Sequence, residues 1–186
     1  MLSVIIATFD SERALVPTLA ALIPGATAGL ITEVVVADGG SSDDTASVAD
    51  AAGCNFMFVD GALGGRLKAA AGAARAPWLL FLRPGTVLDS PWIGEIARFI
   101  EQDSAAAQAA VFRPAIPVQP VWRQVWHLLL SAPGTPRPEQ GLLLANQFYQ
   151  TIGGHSERAG DPEADLLRRI GRRRLITLST AAFASS

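Results

Sequence analysis

The sequence predicts an α/β fold, an open sheet with helices between its strands and a ligand-binding edge at the strand ends. Three features point to it. The runs Leu2–Thr8, Val34–Ala37 and Trp78–Leu82 are apolar without alternation, as strands covered on both faces are. Between them, apolar residues recur at helical spacing, most clearly Leu15, Leu19, Leu22 and Ile23. The second run passes straight into Asp38-Gly39-Gly40-Ser41-Ser42-Asp43-Asp44-Thr45. A strand, a tight acidic turn and a helix start, in that order, form the edge of an open α/β sheet, where ligands bind.

Composition sets the outer bounds. A chain of 186 residues suffices for one domain with a substantial core. Its 49% hydrophobic content argues for a folded chain. No apolar run reaches the ~18 residues that span a bilayer. The strand-like Ser3–Ala7 leaves no room for a signal peptide, so the expectation is a cytoplasmic protein. The single Cys54 excludes an internal disulfide and, beside Gly53 and Phe56, reads as a buried structural thiol. A net charge of −2 argues against a general nucleic-acid binder. The charge is uneven, because Arg168, Arg169, Arg172, Arg173 and Arg174 crowd the end of the chain.

Taken in order, the first strand turns at Phe9-Asp10-Ser11-Glu12 into a helix that Pro24-Gly25 is expected to end; Pro17 marks a late start or a kink. After the second strand, Ser41 or Ser42 caps a helix from Asp43 to Ala52, stopped by Gly53. Asn55–Val59 is a short strand and Gly61–Gly65 a flexible loop. Arg66–Ala74 is a helix whose small face lies close to the sheet. Arg66 and Lys68 oppose the dipole at its start, which suggests an anionic ligand nearby. The third strand ends in Arg83-Pro84-Gly85-Thr86, and Ser90-Pro91 opens a helix with Trp92, Ile96, Phe99 and Ile100 on its apolar face.

Ala109–Phe112 is a further strand, after which Pro114, Pro117 and Pro120 break the chain. Val121–Leu130 reads as a short helix with Trp122 and Trp126 on one face. That pair is core, an acceptor platform or a membrane-interface contact. His127 beside it has no second His or Cys at metal-ligand spacing. Ser131–Pro138 is a loop, Leu142–Leu144 a strand, and Pro162 stands at the first position of a helix running to Ile170.

Several of these motifs, in their order, resemble family-2 glycosyltransferases. The turn after the second strand resembles that family's D-D-G-S-T-D-G-T, with Asp38 on the first acid and Gly39 in place of the second. Val4-Ile5-Ile6-Ala7-Thr8-Phe9-Asp10-Ser11-Glu12 resembles its first strand and P-x-Y-N-E turn. Glu139-Gln140-Gly141 and Phe148 to His155 resemble D-Q-G and F-x-x-x-G-G-F; Asp161 to Ile170 resembles the E-D-x-D/E-L-x-x-R-L helix. The resemblance implies a GT-A fold, a Rossmann-like, mostly parallel sheet flanked by helices in one domain. Residues 1–113 would form the nucleotide-sugar half and 114–186 a minimal acceptor half. It implies a nucleotide-sugar donor, a UDP-sugar or similar, contacted by Thr8, Phe9, Asp10, Glu12, Asp38, Gly39, Arg66, Arg83 and Gly85. Asp38 would meet the base, so that its removal weakens nucleotide binding and leaves stability nearly unchanged. Gly153, Gly154 and His155 would lie on the acceptor side, and Glu163 falls on the general base.

The resemblance breaks at D-x-D, the carboxylates that hold a divalent cation against the diphosphate. Their positions carry Arg83 and Gly85, so no metal ligand is assigned. Either Arg83 offers a fixed charge to the diphosphate, assisted by the N–H groups of Gly85 and Thr86, or the site has decayed and Arg83 is only a surface residue. Three function classes follow. The first is an inverting, metal-independent glycosyltransferase with an acceptor the sequence does not name. The second is a non-catalytic nucleotide-binding or scaffold protein on the same fold. The third, a nucleotidyltransferase, needs a glycine-rich loop after the first strand, and Thr8-Phe9-Asp10-Ser11-Glu12 contains no glycine. The arginine cluster with Trp122 and Trp126 suggests peripheral membrane contact.

Overall fold

Leu2–Thr8 is buried along nearly its whole length and forms β1, the strand on which one half of the sheet is built. A computed structural model describes residues 1–114 and 140–184. After β1 the order is α1 Glu12–Thr27, β2 Ile31–Asp38, α2 Thr45–Ala51, β3 Asn55–Phe58, α3 Leu63–Ala73, β4 Trp78–Leu82 and β5 Thr86–Leu88. Then follow α4 Trp92–Ile100, β6 Ala109–Pro114, β7 Leu142–Ala145, α5 Asn146–Thr151, α6 Pro162–Ile170 and β8 Leu175–Ala184. The strands form one sheet in the order β3-β2-β1-β4-β7-β6-β8-β5. β3, β2, β1 and β4 are parallel neighbours, as the unbroken apolar runs predict. β7 runs antiparallel to both β4 and β6, β8 is parallel to β6, and β5 closes the far edge antiparallel to β8. The sheet is therefore mixed, and each of its antiparallel pairs involves β7 or β8.

A buried acid ties the end of the sheet opposite the loops that follow β1 and β2. Glu33, 8% exposed, accepts from the Ser3 hydroxyl, the Asn55 amide and both the backbone and the side chain of Arg75. A carboxylate inside a strand is tolerated because its oxygens are all engaged.

Several elements differ from the sequence reading. α1 continues through Pro17 and Pro24 to Thr27. Each proline removes one helical N–H, yet tertiary packing holds the helix. Leu15 and Leu22 are buried as expected, whereas Ile23 is 62% exposed. α3 begins at Leu63, inside the expected loop, and its Gly64 lies directly against the Ser156 carbonyl and Pro162. α2 starts at Thr45 rather than Asp43. β5 and the ten-residue β8 were not anticipated. The expected Val121–Leu130 helix, with Trp122, Trp126 and His127, and the Ser131–Pro138 loop lie outside the described residues. No described helix is long and apolar enough to cross a membrane.

Gly25 shows what sets the packing of α1. A Cβ built there would sit 2.2 Å from the Trp92 ring, and Trp92 is only 2% exposed. Gly25→Ala gains helix propensity but overpacks this contact. The expected net loss is about 1–3 kcal/mol in urea unfolding, with partial recovery in Gly25→Ala/Trp92→Phe.

Candidate active site

The C-terminal ends of β1 and β2 stand side by side, with Thr8 opposite Asp38 in register. Asp38 is 3% exposed and serves its own turn. Its Oδ1 accepts from the Thr8 hydroxyl at 2.8 Å and from the Ser41 hydroxyl; its Oδ2 accepts from the N–H groups of Gly40 and Ser41 at 2.8 and 2.7 Å. Burial alone would push this carboxyl up, but the hydrogen bonds from Ser41, Thr8 and Gly40 outweigh it and hold it below the usual carboxylate range. Gly40, at φ +97°, takes a conformation that suits glycine.

The loops after β1 and β2 are laced together. Asp10 sits at φ +44° and its Oδ1 accepts from the Ser42 N–H at 2.7 Å, while its own N–H donates to Ser41 Oγ at 2.8 Å. The N–H groups of Ser11 and Glu12, at the start of α1, donate to Thr45 Oγ1 and Asp43 Oδ2. Asp43 also accepts from Thr45, so one carboxylate serves the starts of both α1 and α2. Asp10 and Asp43 thus build the loop pair through side chains. Phe9, 59% exposed, is the aromatic face left open beside it.

Arg66, in the first turn of α3, reaches across both strand ends. Its Nη1 donates to the Thr8 carbonyl at 2.6 Å, and its Nε is buried without a hydrogen-bond partner. A Cβ at Gly39 would lie 2.1 Å from Nη1. The glycine that replaces the expected acid is what lets the guanidinium lie there.

Arg83 and Glu163, far apart in sequence, meet at the end of β4. Arg83 Nε donates to Glu163 Oε2 at 2.8 Å, and Nη2 donates to the same oxygen. Their side chains are 40% and 14% exposed. Glu163 stands in the first turn of α6, which Asp161 caps by accepting from the Ala164 N–H at 2.9 Å. The N–H groups expected to face a phosphate are engaged within the chain. That of Gly85 donates to the Ala14 carbonyl at 2.8 Å and Thr18 Oγ1 at 2.9 Å, and that of Thr86 to the Arg83 carbonyl at 3.1 Å. Among the described residues no three His, Cys, Asp or Glu side chains come together to hold a metal ion. Arg83 and Gly85, at the positions of the family's two acids, carry no side-chain oxygen for a divalent cation.

Gly153, Gly154 and His155 form a turn whose two glycines sit at φ +83° and +64°. It folds His155 back onto Tyr149, a residue the sequence reading passed over although it stands six positions earlier; the glycine pair was the available signal. Arg169 Nη2 donates to the Gly154 carbonyl at 2.6 Å, and Nη1 to that of Ile152. Of the five C-terminal arginines, Arg168 and Arg169 pair with Asp165 and Arg174 lies over the Phe148 ring. Arg172 and Arg173 are exposed.

Residues 3–160 match the model of glycosyl transferase family 2. The crystal structure of glucosyl-3-phosphoglycerate synthase from Mycobacterium tuberculosis with phosphoglyceric acid is similar, with a TM-score of 0.74 at 15% identity over 100% of this chain and 72% of that one. TarS residues 1–349 from S. aureus gives a TM-score of 0.73 at 16% identity over 99% of this chain and 60% of that one. Further structures of these proteins hold Mn2+ with UDP and glucosyl-3-phosphoglycerate in the synthase, at TM-score 0.71, and UDP-GlcNAc in TarS, at 0.73. At such identities the likeness establishes the fold. No curated protein matches the sequence.

Proposed function

The chain belongs to glycosyl transferase family 2, and from that premise we propose that it moves a sugar from a nucleotide-diphosphate donor to an acceptor hydroxyl, with inversion and without a divalent cation. The observation that carries this reading is the Arg83–Glu163 pair, which sets a permanent cation and a carboxylate side by side at the end of β4. In the proposed reaction the acceptor oxygen attacks the anomeric carbon and its proton passes to the Glu163 carboxylate. The bond from that carbon to the diphosphate breaks, and the leaving electron pair settles on an oxygen that Arg83 stabilises. The rim formed by Thr8, Asp10, Glu12, Asp38 and Gly39 would hold the nucleotide, with Phe9 offering an aromatic face and Arg66 a second cation. Because the similar structures hold uridine nucleotides, UDP-sugars are the first donors to try.

A second reading, a non-catalytic member of the family, is favoured by Asp38, whose oxygens are taken up by its own turn and by the Thr8 hydroxyl. Titration tests the donor site that the first reading needs. Affinity for UDP-glucose or UDP-GlcNAc should be the same in EDTA and Mn2+, and should fall by roughly 1.5–3 kcal/mol in Arg83→Ala, the scale of hydrogen bonds to a charged group. A strong gain with Mn2+ would remove metal independence. No binding by any nucleotide sugar would favour the second reading.

A further inference from the structure

Tyr149 and His155 are each 1% exposed and hydrogen-bond to one another twice. The phenol oxygen accepts the His155 backbone N–H at 3.0 Å and lies 3.0 Å from His155 Nδ1. The phenol has one proton of its own, and Nδ1 is within its reach. Burial pushes Tyr149 up to about 12, so the phenol keeps that proton at neutral pH. Burial, reinforced by Arg169 and opposed by Asp165, pushes His155 down to about 4, so its ring is neutral. A neutral imidazole that accepts at Nδ1 carries its own proton on Nε2.

The surroundings hold this arrangement. A Cβ at Gly154 would lie 2.8 Å from Tyr149 Cε1, so the close stacking of this turn on the phenol requires glycine there. The imidazole packs edge-on against Phe81 with ring centroids 4.8 Å apart. Arg169 joins the Gly154 carbonyl to Asp165, fixing the turn to α6, which carries Glu163. Phe81, His155 and Glu163 all border one small cavity of about 10 Å³, the room of a single water.

We infer that His155 is a positioning residue for Glu163: with its tautomer set by Tyr149, its Nε2–H orients the Glu163 carboxylate through the single water this cavity has room for, while Arg83 holds the same carboxylate through Oε2. This rests on the reading of Glu163 as the acceptor of the hydroxyl proton. The family pattern has phenylalanine where His155 stands, so the donor belongs to this chain's own solution.

Nitrogen-15 NMR tests it without any nucleotide sugar. The chain has two histidines, and His127→Gln assigns the signals of His155. The wild type should show a neutral His155 protonated on Nε2 from about pH 5 to about pH 8. Tyr149→Phe should mix the tautomers. Glu163→Gln should move the Nε2 resonance, and the exposed Glu101→Gln should leave it in place; Glu163→Asp serves if Glu163→Gln does not fold. A wild-type ring protonated on Nδ1, or an Nε2 resonance indifferent to both Glu163 variants, overturns the inference. Failure of donor binding would instead strike the transferase reading and leave these spectra unchanged.

Discussion

Glu163→Gln is expected to turn over a nucleotide sugar roughly 10²–10⁴-fold more slowly than the wild type, the usual contribution of a general base, while binding the donor at least as tightly. The opposite signs follow from the pair with Arg83. A glutamine keeps the shape of the side chain and an oxygen for the guanidinium, but it cannot take the acceptor's proton. It also removes the negative charge with which a donor diphosphate competes for Arg83. Glu163 is 14% exposed and Arg83 40%, so solvent screens the pair in part. The gain in affinity should not exceed about 1 kcal/mol, the upper range for a partly exposed ion pair. Calorimetric titration with UDP-glucose gives the affinity, and release of UDP with water or added alcohols gives the rate. An unchanged rate would place the base elsewhere. A marked loss of affinity would mean that Glu163 supports the donor site instead of competing with it.

The parallel half of the sheet was legible because buried parallel strands write long apolar runs, as in β1 and β4. β8 was not, since Leu175–Ala184 mixes small, polar and apolar residues. Its place depends on pairing with β6 and β5, which are remote in sequence. α1 shows the converse: it runs through two prolines, with Leu15, Thr18, Leu22 and Gly25 buried along it. At the site, sequence order put Asp38, Gly39, Arg66, Arg83 and Glu163 on the right elements. It could not show that two of the departures from the family pattern, Gly39 and Arg83, are each half of a contact. Gly39 makes room for Arg66, and Arg83 finds Glu163. Such pairs are visible only when residues about 27 or 80 positions apart meet in space.

Asp38→Ala is expected to lower stability by roughly 2–4 kcal/mol, because it strips several donors of a charged partner at once. The resemblance to family turns suggested a ligand-facing acid whose loss spares the fold. In the structure the Thr8 hydroxyl, the Ser41 hydroxyl and two backbone N–H groups all depend on it. Thr8 is 1% exposed, so its hydroxyl cannot turn to water. The pH dependence supplies a second signature. The folded Asp38 carboxyl titrates below its unfolded value of about 3.9, so its contribution is fully present above that pH and is lost as pH falls through the lower folded value. The wild type should therefore lose stability in acid more steeply than Asp38→Ala, and the gap between them should narrow below about pH 4. Urea unfolding at a series of pH values measures both effects. If Asp38→Ala unfolds within about 0.5 kcal/mol of the wild type at pH 7, the range of an ordinary surface change, and loses nucleotide affinity, the turn must open on binding to present Asp38 to the base.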